Sequence, residues 1–402
     1  MKLLCVGSVA LAAIACPVRA QDTTASPVDT SYVEYSEPPV TLPMGIGLRV
    51  PSYDRVNGVT IPWGPQLVLG DDRVQLDALV RYRSNLGNWD PSLEGFVRPS
   101  GADELKLYVG RGTFTNDSWI RSDLLNSLAA LAVGSDARNY YRADRASLRL
   151  THTLSTPAIT LTPFVGGNME RDWSTGSLDP QKSPWSFFGR KGKLRMRRPN
   201  PPVSKGRINS FFGGSGIAVA RGGLDGSLDV TVEHAFKAPT FLCAAIPPVG
   251  PPACGEAAFT QTTLDSRVKF PTFGTQTFEF KGHALIAGGD ILPPQRFAYL
   301  GGSGTLATVN LLALGGDNLL YLSGDYVIPI ERIVLPYVGS PFLALTYAAG
   351  NAGLGSIPTL IQNVGAGAGV SLFRVDYSID PAQNRSPLSR KSAWSFGVSL
   401  SL

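Results

Sequence analysis

Past its first twenty residues this chain never gathers eighteen consecutive apolar residues, yet over most of its length apolar residues return at every second position. The first fact excludes membrane-spanning helices, which need about 20 apolar residues to cross a bilayer. The second selects extended strands, whose side chains alternate between two faces. Val74, Leu76, Ala78, Val80 and Tyr82 interleave with Gln75, Asp77 and Arg81, and Leu228, Val230 and Val232 with Asp229, Thr231 and Glu233. Phe278, Phe280, Ala284 and Ile286 interleave with Glu279, Lys281 and His283. Each such strand carries one apolar and one polar face.

A half-buried soluble sheet shares this alternation, and three features favour a transmembrane barrel over it. Many segments run to about 10–14 residues, against about 5–6 for ordinary strands and about 9–11 for a tilted membrane strand. They fill nearly all of residues 55–402. The chain also ends inside a strand, AWSFGVSLSL, with Trp394, Phe396, Val398, Leu400 and Leu402 on one face and small residues opposite. In hydrocarbon every backbone polar group needs a partner, which a closed barrel provides. The expected fold is therefore all-β, a transmembrane antiparallel β-barrel of 14–16 strands over residues 55–402, since barrel strands come in even numbers. The stretch 118–134 breaks the pattern: Trp119, Leu124, Leu125, Leu128 and Leu131 fall at helical spacing and predict one short inter-strand helix. Apolar residues at 43% of the chain and a net charge of +5 exclude disorder.

Residues 1–20 read as a secretory signal peptide: Lys2, an apolar run from Leu3 to Ala15, then Val18-Arg19-Ala20 before Gln21. Ala13-Ile14-Ala15-Cys16 offers a lipoprotein cleavage site as the alternative, and both lead to export. Residues 21–54 read as a flexible periplasmic lead-in, acidic and proline-bearing in their first half. Export puts Cys243 and Cys254, in CAAIPPVGPPAC, in an oxidising compartment where a disulfide would stiffen this loop; two free thiols are the alternative. No histidine or second cysteine pair joins them, so no metal site is expected.

Catalysis is not expected either. His152, His234 and His283 stand alone on strand-like segments, and both GGSG runs are followed by Ile217 or Thr305 where a nucleophile elbow needs glycine. No cofactor is implied. Residues 181–210 hold nine Lys or Arg and no acid. Arg190, Lys191, Lys193, Arg195, Arg197 and Arg198 suit lipopolysaccharide phosphates or an anionic solute, since guanidinium grips phosphate bidentately; a solvated loop at the pore mouth is the alternative. Nucleic acid is excluded as a partner by the lack of interleaved aromatics.

Residues 293–329 resemble the lid-loop region of the bacterial surface antigen family, the sixteen-stranded barrels of outer-membrane insertases and two-partner-secretion transporters. Phe297, Gly301, Gly302, Gly304 and Leu306 fit that pattern, as do Asp325, Tyr326 and Pro329 in the strand that follows. DRVNGVTIPWG, from Asp54, resembles the family's first barrel strand, and FRVDYSIDP, from Phe373, its penultimate one. The resemblance implies a loop folded into the lumen, a C-terminal strand read by the barrel-assembly machinery, and a separately encoded partner protein. The chain departs from it at Ala307-Thr308-Val309, where the family carries Arg-Gly-aromatic, and at Tyr347-Ala348-Ala349-Gly350, which lacks the partnering carboxylate. These departures imply a lid loop not locked in the family's manner. The family's periplasmic POTRA domains are not expected, since only residues 21–54 precede the barrel.

Two functions compete. One is an outer-membrane barrel of surface-antigen type acting in membrane biogenesis or as a partner barrel, in contact with outer-membrane lipid and lipopolysaccharide. The other is a passive pore or structural barrel whose lumen charges, Asp77, Arg81, Arg267, Lys269, Glu279 and Lys281, select small solutes.

Overall fold

Strands with one apolar and one polar face need neighbours on both edges, and the structure, a computed structural model, supplies them in near-unbroken succession. It describes residues 39–70, 72–176, 187, 196–241, 255–333, 339–371, 373–382 and 388–398. The chain opens with β1 (Val40–Thr41), β2 (Ser52–Asp54), β3 (Gly58–Trp63) and β4 (Gln66–Leu69). Next come β5 (Val74–Arg83), β6 (Asn88–Val97), β7 (Asp103–Phe114), α1 (Asp123–Val133), β8 (Tyr141–His152) and β9 (Leu154–Ser155). The longest strands follow: β10 (Ile159–Trp173), β11 (Gly206–Arg221), β12 (Leu224–Pro239), β13 (Glu256–Pro271) and β14 (Thr277–Gly289). After a short ribbon, β15 (Ala298–Leu300) with β16 (Leu314–Gly316), come β17 (Asn318–Pro329), β18 (Pro341–Gly353), β19 (Ile361–Val370), β20 (Phe373–Ile379) and β21 (Ser392–Val398).

Among the described residues, all strands but β15 and β16 join one 19-stranded antiparallel sheet in which chain neighbours are ladder neighbours. β3 and β4 share β5 as partner, and β8 and β9 share β10, so each pair is one interrupted stave. That leaves fifteen staves, and an irregular sixteenth lies in front of them. It is built from β1 on β4, the Leu48–Trp63 bridge and β2 on β3. Residues 40–54 thus belong to the sheet, where the sequence suggested a flexible lead-in ending at 54. Prolines hid them: Pro39, Pro43 and Pro51 suppress a strand signal, yet proline is tolerated on an edge strand because no N–H is asked of it there, and the Pro39 carbonyl still accepts from Val68 N–H at 2.8 Å.

The sheet is rolled. Arg374 on β20 reaches Asp325 on β17 at 2.7 Å across two intervening strands. A flat sheet would hold those backbones about 14 Å apart, so only strong concave curvature brings the side chains together. Residue parity then separates the faces. On β14, His283 and Leu285 are buried inside while Ile286 is 55% exposed outside, and Phe280 shares the outward parity. On β12, Glu233 points inward and Val232 outward, with Val230 beside it. On β21, Trp394 and Phe396 are 74% and 50% exposed. They pack at a tilt against Tyr377 and Phe373 of β20, ring centres 4.9 and 6.2 Å apart. Val398 closes the β20–β21 ladder opposite Phe373, while Leu400 and Leu402 lie outside the described residues.

The two ends of the barrel differ. At one, strands connect through short turns such as 156–158 and Gly222-Gly223; at the other, the connections include 115–140, 174–205 and 290–317. Helix α1 lies in the first of these, where the leucine spacing placed it. Ser122 caps its N-terminus by accepting the Leu125 N–H, and Gly134 ends it with φ of 66°, a left-handed conformation that glycine adopts freely.

Outward apolar rows of this extent belong against hydrocarbon, and face assignment is testable on one strand. Phe280→Arg and Val230→Arg are each expected to cost about 2–4 kcal/mol near the midplane. Lys281→Glu should leave assembly intact and alter ion selectivity, because Lys281 is half exposed on the inner face beside Glu279. Denaturant titration of lipid-reconstituted variants separates these outcomes, and a reversed ranking would reverse the faces.

Candidate functional site

The inner face is not empty. Two connections from the long-loop end, 115–140 and 290–317, fold back against the inward side chains and hold each other. Asn116 Nδ2 donates to the carbonyls of Gln295 at 2.5 Å and Phe297 at 3.3 Å. Asp117 accepts the backbone N–H of Asn139 at 2.7 Å and of Tyr299 at 3.2 Å, so one buried carboxylate ties both segments. Arg121 donates to the Ser303 carbonyl at 2.8 Å. The tight path through 301–304 rests on glycine: Gly301, Gly302 and Gly304 have φ of 123°, 85° and 105°, and a Cβ on Gly301 would lie 2.3 Å from the Asn310 carbonyl.

This plug is bonded to the wall at widely separated staves. Arg296, buried, pairs with Glu170 of β10 and lies 3.2 Å from Glu233 of β12 and from the Tyr141 hydroxyl of β8. Gln295 donates to Asp172 at 3.1 Å, and Gln261 of β13 donates to the Arg296 carbonyl at 3.3 Å. On the far side Thr308 N–H donates to Asn363 of β19 at 3.0 Å, and Asn363 Nδ2 returns a bond to the Thr308 hydroxyl at 2.7 Å. Trp119 lies flat on His283 of β14, ring centres 4.0 Å apart, and His283 Nδ1 is 2.6 Å from Asp265. Apolar packing completes the seat. Leu300, Leu306 and Val309 join Leu285, Leu319, Tyr321 and Ile361 in one cluster, while Phe297 packs with Ile208, Phe259 and Leu292 in another. Between plug and wall remains a cavity of about 350 Å³, lined by Ser147, Asn168, Phe212, Thr231, Thr263 and His283 among others.

The lumen charges named from the sequence share the inner face and are mostly neutralised in pairs. Asp77 takes Arg49 at 2.5 Å, Arg81 meets Glu94 and Ser92, and Glu279 accepts both Arg267 at 2.7 Å and Lys281 at 3.1 Å. Lys269 stands opposite Asp225 and Glu279 in register. Of the basic loop, Arg190, Lys191, Lys193 and Arg195 lie outside the described residues, as do Cys243 and Cys254. Arg197 is exposed. Arg198, by contrast, turns inward and donates to Asn139 and to the Arg138 carbonyl, so it serves the plug rather than a phosphate; burial, with Arg55 alongside, pushes its guanidinium down to about 10.

A buried charge lock is present, but not at the position where the family carries its arginine, Ala307-Thr308-Val309. It uses Arg296, nearer the start of the loop, and inward acids from β10 and β12. One signal was available: Arg296 is the only charged residue between Asp290 and Asp317. Its partners carried none, because Glu170 and Asp172 alternate with Arg171 on a strand charged on both faces.

Burial pushes the Asp117 carboxyl up from 3.8 to about 7, against the pull of its two N–H donors and of Arg198 and Arg138. The folded chain therefore retains a proton that the unfolded chain releases near pH 4. The stability this proton contributes is present below about pH 4 and lost as pH rises through about 7, with a ceiling of about 4 kcal/mol. Asp117→Asn should flatten that dependence. Thermal unfolding of the detergent-solubilised chain at about pH 5 and about pH 8 reads it, and parallel shifts in wild type and variant would assign the proton elsewhere.

No family model matches the chain, and no curated protein sequence matches it. Solved structures do. CdiB from Escherichia coli aligns over 90% of this chain at 13% identity and a TM-score of 0.47, and CdiB from Acinetobacter baumannii over 87% at 13% and 0.44. The FrpB iron transporter from Neisseria meningitidis aligns over 85% at 10% identity and 0.39. The chain spans 58–63% of the length of these structures.

Proposed function

We propose that this chain is an outer-membrane β-barrel whose lumen is closed at rest by an internal plug and which acts, through movement of that plug, in membrane biogenesis or transport together with a separately encoded partner. The observation that carries the reading is the Arg296 lock: a buried arginine held by acids from two staves fixes 290–317 across the lumen. A passive pore has no use for such a lock. The outer-membrane setting is supported by the outward apolar rows and by the asymmetry of short turns and long loops usual in such barrels. A non-catalytic role is supported by the histidines: His152 and His234 are exposed on the outer face, and His283 is stacked beneath Trp119. The remaining cavity favours the passive pore as second reading.

Conductance in planar bilayers separates the two. Wild type is expected to show a small or flickering current, and deletion of 299–313 should raise single-channel conductance severalfold. A large steady wild-type current, unchanged by the deletion, would place the loop outside the conducting path and favour the pore.

A further inference from the structure

The outer wall carries a row of charges that neither plug nor lumen uses. On β10 the outward positions are Ile159, Leu161, Pro163, Val165, Gly167 and Met169, with Ile159, Val165 and Met169 at 48%, 57% and 65% exposure. That run rises about 33 Å along the strand, or about 25 Å along the barrel axis at a tilt of about 40°, which is the height of a hydrocarbon-facing band. The next outward position is Arg171. It stands directly opposite Arg207 on β11 and Asp144 on β8, and Asp144 stands opposite Arg111 on β7. Arg111, Asp144, Arg171 and Arg207 thus form one row across four adjacent staves, at the upper margin of the band and on the long-loop end. Phe211, two positions below Arg207 on the same face, is 65% exposed, so the margin is abrupt.

The charges in this row do not balance. Arg111 grips Asp144 bidentately, at 2.7 and 3.0 Å, and lies 5.4 Å from the centre of the Trp173 ring. Arg171 and Arg207 are exposed, and among the described residues neither has a hydrogen bond or a salt bridge within 4 Å; Arg171 feels only the longer-range attraction of Asp144, which Arg111 already holds. Like charges directly opposite on a ladder are destabilising, and among the described residues no acid lies between them. An anion would remove the repulsion. Two guanidinium groups whose Cβ atoms are about 5 Å apart can share one tetrahedral oxyanion through paired N–H donors.

We propose that Arg171 and Arg207, flanked by Arg111, form a binding site on the barrel wall for the phosphate of a lipopolysaccharide headgroup in the leaflet around the long-loop rim. The site rests on the membrane reading given above. It is separate from the basic loop at 190–198, because its residues sit on regular strands and hold their spacing by register.

Two measurements test it on the full chain in detergent micelles. After exchange and washing, wild type is expected to retain bis-phosphorylated lipid A at least tenfold better than dephosphorylated lipid A. R171Q/R207Q should lose that preference while keeping heat-modifiable migration. Equal retention of the two lipids by wild type, or an undiminished preference in the double variant, would overturn the site. The second measurement needs only a folded single variant. R207Q should raise the thermal midpoint in lipid-free detergent, where it relieves an unshielded pair, and should lower it relative to wild type once phosphorylated lipid A is added. A shift of the same sign in both conditions would also overturn the site. Loss of heat-modifiable migration in wild type itself would overturn the membrane reading beneath it.

Discussion

Arg296→Ala is expected to destabilise the folded barrel by about 3 kcal/mol and to free the 290–317 loop from the lumen. Removing one partner of a buried ion pair costs about 3–5 kcal/mol, because the other charge is left in a medium that solvates it poorly. The lower end applies here: Arg145 stays 2.7 Å from Glu170, so that carboxylate keeps one partner, while Glu233 retains partial access to water. The Tyr141 hydroxyl also loses its bond from Arg296. Since the arginine joins staves that belong to different hairpins, its loss acts on the plug as a whole. Conductance should rise toward that of the loop deletion. Adding Glu233→Gln to Arg296→Ala should recover part of the stability and none of the closure, which distinguishes a stranded charge from lost packing. Wild-type stability with wild-type conductance in the single variant would show that the lock is incidental.

Removal of residues 393–402 should have the larger effect, abolishing membrane insertion. The truncation takes away nearly all of β21 and strips β20 of its ladder partner from Phe373 to Ser378. Each backbone group left unpaired in hydrocarbon costs several kcal/mol, and an open edge cannot be hydrated there. The outward Trp394 and Phe396 rings and their contacts with Tyr377 and Phe373 go with it. Membrane fractionation and heat-modifiable migration read the result: the truncated chain should be degraded before it inserts. Normal yield of a folded, membrane-inserted product would overturn the barrel itself.

The pairing of strands with faces was legible in the amino-acid order, because alternation is local. A pleat places successive side chains on opposite faces whatever the strand's neighbours are, so Val230, Phe280 and Trp394 could be put outside and Glu279 and Lys281 inside before any partner was known. The α1 spacing and the glycines of 301–304 are local signals of the same kind. Residues 40–54 escaped because their pairing comes from the edge offered by β3 and β4, not from an alternation of their own. The lock escaped for a deeper reason. Glu170, Glu233 and Arg296 meet only after each ladder between β10 and β14 has taken its register and the sheet has curved enough to face its own interior. That outcome sums small offsets over many strands, and no single segment encodes it. The sequence therefore determined which side chains would line a lumen, while curvature and register, properties of the whole sheet, decided that the lumen would be filled and by which charge it would be held.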